Sequence, residues 1–408
     1  MNNKILIAVV VAGVALTGCK EEYDPIVPIE PGQKEEVTYD EFLSRAESTY
    51  ETLHDLYWSE KAQMMFSKYP NSMGTGLEPS TPQYIEHTTI WGYGAVVSAF
   101  ATIVQTTSNL EFRTTHEAEI KATLERYYNT SKQPECFACF TNSWDDRLYD
   151  DAIWIGIDMA DLYSFTRDNW YLEKAKSVYE FMLSGMDDKL GGGVYWDENK
   201  KNIPEEASKN TCSNAPAAVM CVKLYQATND AEYLAKAREI YDWTKATLQD
   251  PGDHLYFDNI KLDGTRGTTK FSYNSGQMIQ AATLLYNATG EEQFLTDAKE
   301  VAEASYKYFF GRFASPYSGE QFNIIKDGHR WFNTIMLRGF AELNKIEQNA
   351  TYTESIYKTL EHAWLYTRDA DTGLFLKNFT GTDYTDNPSD ILQQFAMVEM
   401  LARFSTFK

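Results

Sequence analysis

The chain is poor in several features that would have narrowed its reading. Five cysteines stand among 408 residues. The spacing Cys136-x-x-Cys139 has no matching second pair, so a structural zinc site is not indicated, and neither a metal nor another cofactor is expected. Cys136 and Cys139 could form a disulfide in an oxidising compartment, whereas Cys221 lies in an apolar helical run and reads as core. Positive charge is scarce: 37 Lys and Arg face 59 Asp and Glu, a formal net charge of −22. So acidic a surface repels phosphate backbones and anionic lipid, which argues against a nucleic-acid partner and leaves a neutral ligand open. Low-complexity tracts are absent, and no second linker divides the chain.

Apolar residues supply the rest: 43% of the chain is hydrophobic and 14% aromatic, with 27 Tyr and 9 Trp. That suffices for a sizeable core, and Tyr and Trp faces also suit sugar rings. The first residues read as a targeting segment. Lys4 precedes an apolar run over 5–16 that is too short to span a bilayer. It ends in Leu16-Thr17-Gly18-Cys19, which looks like a lipobox. The expectation is a lipoprotein signal peptide over 1–18, cleavage before Cys19 and acylation of the Cys19 thiol. Residues 19–38 form an acidic, Pro-containing tether. The chain is then an outer-membrane lipoprotein touching the membrane through its anchor alone. The acidic start at Lys20-Glu21-Glu22 favours the cell surface over the periplasmic face.

An internal repeat governs the remainder. Segments beginning at Thr166, Thr228 and Thr289 superimpose and start 62 and 61 residues apart. Each is a short turn, with Asp168, Asp230 or Glu291 placed to cap the next helix. The following helices carry one apolar stripe (Leu172, Ala175, Val178, Tyr179, Met182 in the first), whereas the preceding ones, at 215–225 and 278–286, are apolar nearly all round. Alternating striped and fully apolar helices predict an outer and an inner layer. Further inner helices read at 87–103, 331–343 and 390–402, and outer ones at 42–56, 118–128 and 352–365. About twelve helices, or six hairpins, give an all-α (α/α)6 toroid from residue 39 to 408, with an open superhelix as the competing arrangement.

Inner-to-outer turns are short, but outer-to-inner connections are long: 186–208, 249–270, 309–328 and 367–388. All must emerge where inner helices begin, so the site is expected on that face. Aligning the inner helices puts Asp150, Cys212 and Tyr273 at one level, with Asp151, Ser213 and Asn274 at the next. Adjacent carboxyls at a helix start gain from the dipole, and their repulsion favours one proton between them. That is a requirement of glycoside hydrolysis, though plain N-capping explains the pair as simply. Asp145-Asp146 and Asp187-Asp188 are rival pairs, and Asp158 and Asp161 share a helix with Asp150. Pattern leaves the choice open.

A resemblance bears on it. Phe140-Thr141-Asn142-Ser143-Trp144-Asp145-Asp146-Arg147-Leu148-Tyr149-Asp150-Asp151-Ala152-Ile153-Trp154 resembles the signature of glycoside hydrolase family 76, the endo-α-1,6-mannanases. Similar blocks follow at 191–196, 209–216, 273–276, 331–333 and 393–400. The resemblance spans roughly 85–405 and implies an (α/α)6 barrel that cuts α-1,6-mannan with retention. Asp150 would be the nucleophile and Asp151 the acid/base. Ala152-Ile153 departs from the family, where a polar residue often stands, while Trp154 is kept. Trp91, Tyr93, Trp154, Tyr195, Trp196 and Tyr273 are candidate sugar contacts that would serve a core equally well. Asn214 and Asn274 could bond sugar hydroxyls or cap helices. The partner is then an α-mannan polysaccharide or oligosaccharide, and a monomer is expected. A non-catalytic glycan-binding lipoprotein is the alternative.

Overall fold

The computed structural model describes residues 37–70, 87–141, 145–383 and 388–408. The expected signal segment, Cys19 and nearly all of the expected tether lie outside the described residues, as does Trp144. Among the described residues twelve α-helices follow in order: α1 (Tyr39–Tyr57), α2 (Ile90–Thr106), α3 (Leu110–Tyr127), α4 (Tyr149–Thr166), α5 (Asn169–Ser184), α6 (Thr211–Thr228), α7 (Ala231–Leu248), α8 (Ser272–Thr289), α9 (Glu292–Phe309), α10 (Arg330–Asn344), α11 (Ala350–Tyr366) and α12 (Ile391–Phe404). Even-numbered helices form the inner layer. Each packs on the next, and α12 packs on α2, so the ring closes as an (α/α)6 toroid and the open superhelix is excluded. In α8 every residue from Ser272 to Leu285 is buried, as expected of a helix enclosed on all sides. In α9 burial falls on Phe294, Asp297, Ala298, Val301, Ala302 and Ser305, the single stripe of an outer helix.

The repeated turns share one geometry. Arg167, Asn229 and Gly290 end α4, α6 and α8 in the left-handed conformation, which satisfies the last carbonyls and reverses the chain. Asp168 and Asp230 then accept from the backbone N–H of Trp170 and Glu232 as N-caps. Glu291 corrects the expectation: its longer side chain makes no cap bond and pairs with Arg238 instead. Glycine decides one packing contact. A Cβ on Gly276 would lie 2.3 Å from Met336 Cα, and one on Gly339 would lie 2.3 Å from the Gly276 carbonyl oxygen. Only bare backbone lets α8 and α10 approach so closely.

The long connections are not wholly irregular. Strands Ser208–Asn210, Asn259–Lys261 and Arg266–Gly267 make a three-stranded antiparallel sheet, and Phe310–Ala314 pairs with Gln321–Ile325. The sheet ties the connections before α6 and α8 together on the face where the inner helices start, and the second ribbon braces the single connection before α10.

Candidate active site

Asp150 and Asp151 lie in the first turn of α4, where backbone N–H groups lack helical partners. Asp150 Oδ2 accepts from Trp196 Nε1 at 3.2 Å and from Cys212 Sγ at 3.3 Å. Its Oδ1 meets no hydrogen-bond partner among the described residues. Asp151 Oδ2 faces the Cys139 thiol at 3.6 Å. Burial raises the Asp150 pKa to about 6, opposed by Cys212, backbone N–H groups and Trp196. Asp151 is held well above the ordinary carboxylate range, first by burial and then by the charge of Asp150. The two environments therefore separate the carboxyls: Asp150 ionises first and Asp151 keeps the proton.

The loop before α6 delivers Trp196. Gly193 has φ +82°, and a Cβ there would meet the Trp243 ring at 2.5 Å, so glycine permits the turn to sit on that ring. Lys209, wholly buried, gathers the loop by donating to the Gly192 carbonyl at 2.6 Å, the Lys189 carbonyl at 2.9 Å and Asp187 at 2.7 Å. Trp196 is fixed between the Tyr149 N–H, which donates to its carbonyl at 3.0 Å, and the Ser208 carbonyl, to which its own N–H donates at 3.1 Å.

Aromatic rings continue from the pair across the mouth. Tyr273 stacks on Phe332 at 4.2 Å. Trp331 meets Trp154 edge-on at 4.9 Å and Trp91 at 5.7 Å. His329 lies between Trp91 and Phe332, stacked on the first at 5.9 Å and tilted on the second at 4.6 Å. Burial and Arg330 push its pKa down to about 4, so it is a neutral ring at neutral pH. A cavity of about 600 Å³ opens beside these rings, lined by Phe271, Ser272, His329, Phe332 and Asn333 with Lys326. Among the described residues, no three His, Cys, Asp or Glu side chains are grouped to hold a metal ion.

Six of the ten expected contacts converge here: Asp150, Asp151, Trp196 and Tyr273 directly, with Trp91 and Trp154 joined through Trp331. The other four do not. Tyr93 is fully enclosed and stacks on Tyr127 at 6.1 Å. Two residues beyond Trp91 is about 200° around a helix, which turns its ring away from the mouth. Tyr195 is 2% exposed and donates to Asp187 at 2.9 Å, so its ring is held inside the loop rather than at the mouth. Asn214 is buried, its amide bonding both backbone groups of Val194 and the Asn210 carbonyl, so it holds the Trp196 loop from behind. Asn274 is completely buried, its amide unpartnered among the described residues. The suggested disulfide is not formed: Cys136, Cys139, Cys212 and Cys221 are free thiols. Sequence reasoning gave Cys139 and Cys212 no role, although the helix alignment had already set Cys212 level with Asp150.

Comparison with known proteins places the fold in a family. Residues 43–406 match the model of glycosyl hydrolase family 76. A family 76 mannosidase from Bacteroides thetaiotaomicron superimposes with a TM-score of 0.82 at 33% identity, covering 90% of this chain and 98% of that one. An inactive variant of a Salegentibacter α-1,6-mannanase, with two consecutive aspartates replaced and α-1,6-mannotriose bound, shares the fold. Its TM-score is 0.71 at 24% identity, over 90% of this chain and 100% of that one. The mannan endo-1,6-α-mannosidase of Candida albicans is 29% identical over 149 residues, 34% of this chain and 33% of that protein. The matched stretch thus spans about a third of that curated relative. The chain belongs to glycosyl hydrolase family 76.

Proposed function

We propose that the protein hydrolyses internal α-1,6-mannosidic bonds of mannan with retention of configuration. The observation that carries this reading is the pair Asp150 and Asp151, adjacent at one helix start yet ionising apart. Retaining hydrolysis needs two carboxyls about 5–5.5 Å apart, one charged and one protonated. Asp150, as carboxylate, attacks the anomeric carbon. The glycosidic bond breaks as Asp151 passes its proton to the leaving oxygen, and a mannosyl ester forms on Asp150. Esterification removes the Asp150 charge, so the repulsion that kept Asp151 protonated disappears. Asp151 then takes a proton from the incoming water, which displaces the ester and restores the pair.

Substrate class rests on the relatives. Bacteroides and Salegentibacter proteins of this fold, and the Candida relative by sequence, carry the same linkage or sugar in their names. The rings of Trp91, Phe332 and Trp196 supply apolar faces for successive sugars, and the open cavity beside them suits internal cleavage. The test is digestion of linear α-1,6-mannan. New reducing ends and a mixture of oligosaccharides from the first minutes are expected. Mannose alone would contradict internal cleavage, and binding without new ends would leave a glycan-binding protein. Location belongs to the same proposal: acylation at Cys19 on a monomer held at the cell surface. Recovery of a Cys19→Ala chain in the soluble fraction is the expected sign.

A further inference from the structure

Each carboxyl of the pair faces a thiol, where hydroxyl, amide or guanidinium donors are the usual choice. Cys212 Sγ reaches Asp150 Oδ2 at 3.3 Å from α6, and Cys139 Sγ reaches Asp151 Oδ2 at 3.6 Å from the connection before α4. The two cysteines come from different elements and contact different members of the pair. Both are nearly enclosed, at 4% and 7% exposure. Tyr273, from α8, lies beside Cys212 in turn, so tyrosine, thiol and carboxyl follow one another across the mouth.

The surroundings give these weak donors leverage. The titratable groups facing the pair are Cys139, Cys212 and Tyr273, with Asp258 acting on the latter two from the loop beside α6. Lys200 stands over the ring of Trp196 at 5.5 Å. No cation appears among the main influences on either aspartate. Burial and the facing carboxylates hold both thiols protonated, so they donate rather than compete as thiolates. An S–H donor orients a carboxylate while stabilising its charge less than O–H or N–H would. A guanidinium in either place would hold both carboxyls ionised and leave no acid.

We propose that Cys212 and Cys139 are positioning residues of the reaction, Cys212 orienting the nucleophile Asp150 and Cys139 the acid/base Asp151, each setting the ionisation of its own partner. The proposal rests on the retaining reading above. Removing a donor to an ionised carboxylate disfavours that charge, so each Ala variant should raise the pKa of the aspartate it faces.

The test reads the two carboxyls twice, by the pH profile of kcat/KM on mannan and by carbon NMR of aspartate-labelled protein without substrate. Cys212→Ala should move the acid limb up by about half a pH unit and leave the basic limb in place. Cys139→Ala should move the basic limb up and spare the acid limb. Cys212→Ser should return the acid limb to the wild-type position or below it, since its hydroxyl can donate again. The NMR titrations should show the same shifts in correctly folded protein, whose integrity the remaining aspartate resonances report. Limbs and resonances unmoved by either Ala variant would overturn the proposal, as would both limbs moving together in each. Carboxyl shifts as expected in a protein that does not cut mannan would uphold the positioning and sink the reaction instead.

Discussion

At the scale of single residues, the carboxyl pair proposed for catalysis costs stability. Asp150 has a folded pKa of about 6 because burial disfavours its charge, against roughly 3.9 in an unfolded chain. Between those values the folded state binds a proton that the unfolded state has lost, so stability falls as pH rises through that window and stays lower above it. Asp150→Asn removes the penalty without changing the shape. At pH 7 it should raise the unfolding free energy by on the order of 2–3 kcal/mol while abolishing turnover. Near pH 4 the gain should vanish, and urea melts at both values check this. The residue scale is also where sequence was only half legible. Helical phase put Asp150, Cys212 and Tyr273 at one level, and their contacts agree. It could not say which aromatic faces look inward. Tyr93 and Tyr195 each lie within two positions of a mouth residue and turn away, because orientation depends on the rotation of each element about its axis.

At the scale of elements, period and composition told inner from outer helices correctly, since burial on one stripe or on all sides is what those patterns encode. The short strands were not legible: two to five residues in long loops carry no detectable alternation. Nor was the polar cluster deep within the inner layer. Arg338 of α10 bonds Glu399 of α12 at 2.7 and 2.9 Å, Arg403 joins at 2.8 Å, and Asp158 of α4 accepts from Ser98 of α2 at 2.5 Å. Charged residues in otherwise apolar helices look alike in sequence whether paired or not. Their pairing here stitches the four helices at which the ring closes. Arg338→Met would leave Glu399 with Arg403 alone and should cost about 3 kcal/mol in a denaturant melt. Adding Glu399→Leu should recover much of that loss, because the stranded charge goes too. A double variant weaker than Arg338→Met by the full cost of a second core defect would contradict this.

At the scale of the whole molecule, the toroid follows from six similar hairpins, yet its closure did not. Local repeats specify neighbour packing and say little about whether the last unit meets the first; that is settled by α12 lying against α2, with α1 covering the seam. Closure brings six helix starts and their long connections to one mouth, and there a chain of net charge −22 gathers aromatic rings around two carboxyls. The central claim is that these carboxyls have unequal roles, and an activated aryl α-1,6-mannooligoside separates them. Without its nucleophile no glycosyl-enzyme forms, whereas a good leaving group departs without an acid. Asp150→Ala should therefore release no aryl group. Asp151→Ala should release it in a burst and then stall, with azide relieving the stall to give an α-mannosyl azide. A burst and azide rescue in Asp150→Ala, with neither in Asp151→Ala, would reverse the roles, and unimpaired mannan cleavage by both variants would place the reaction elsewhere.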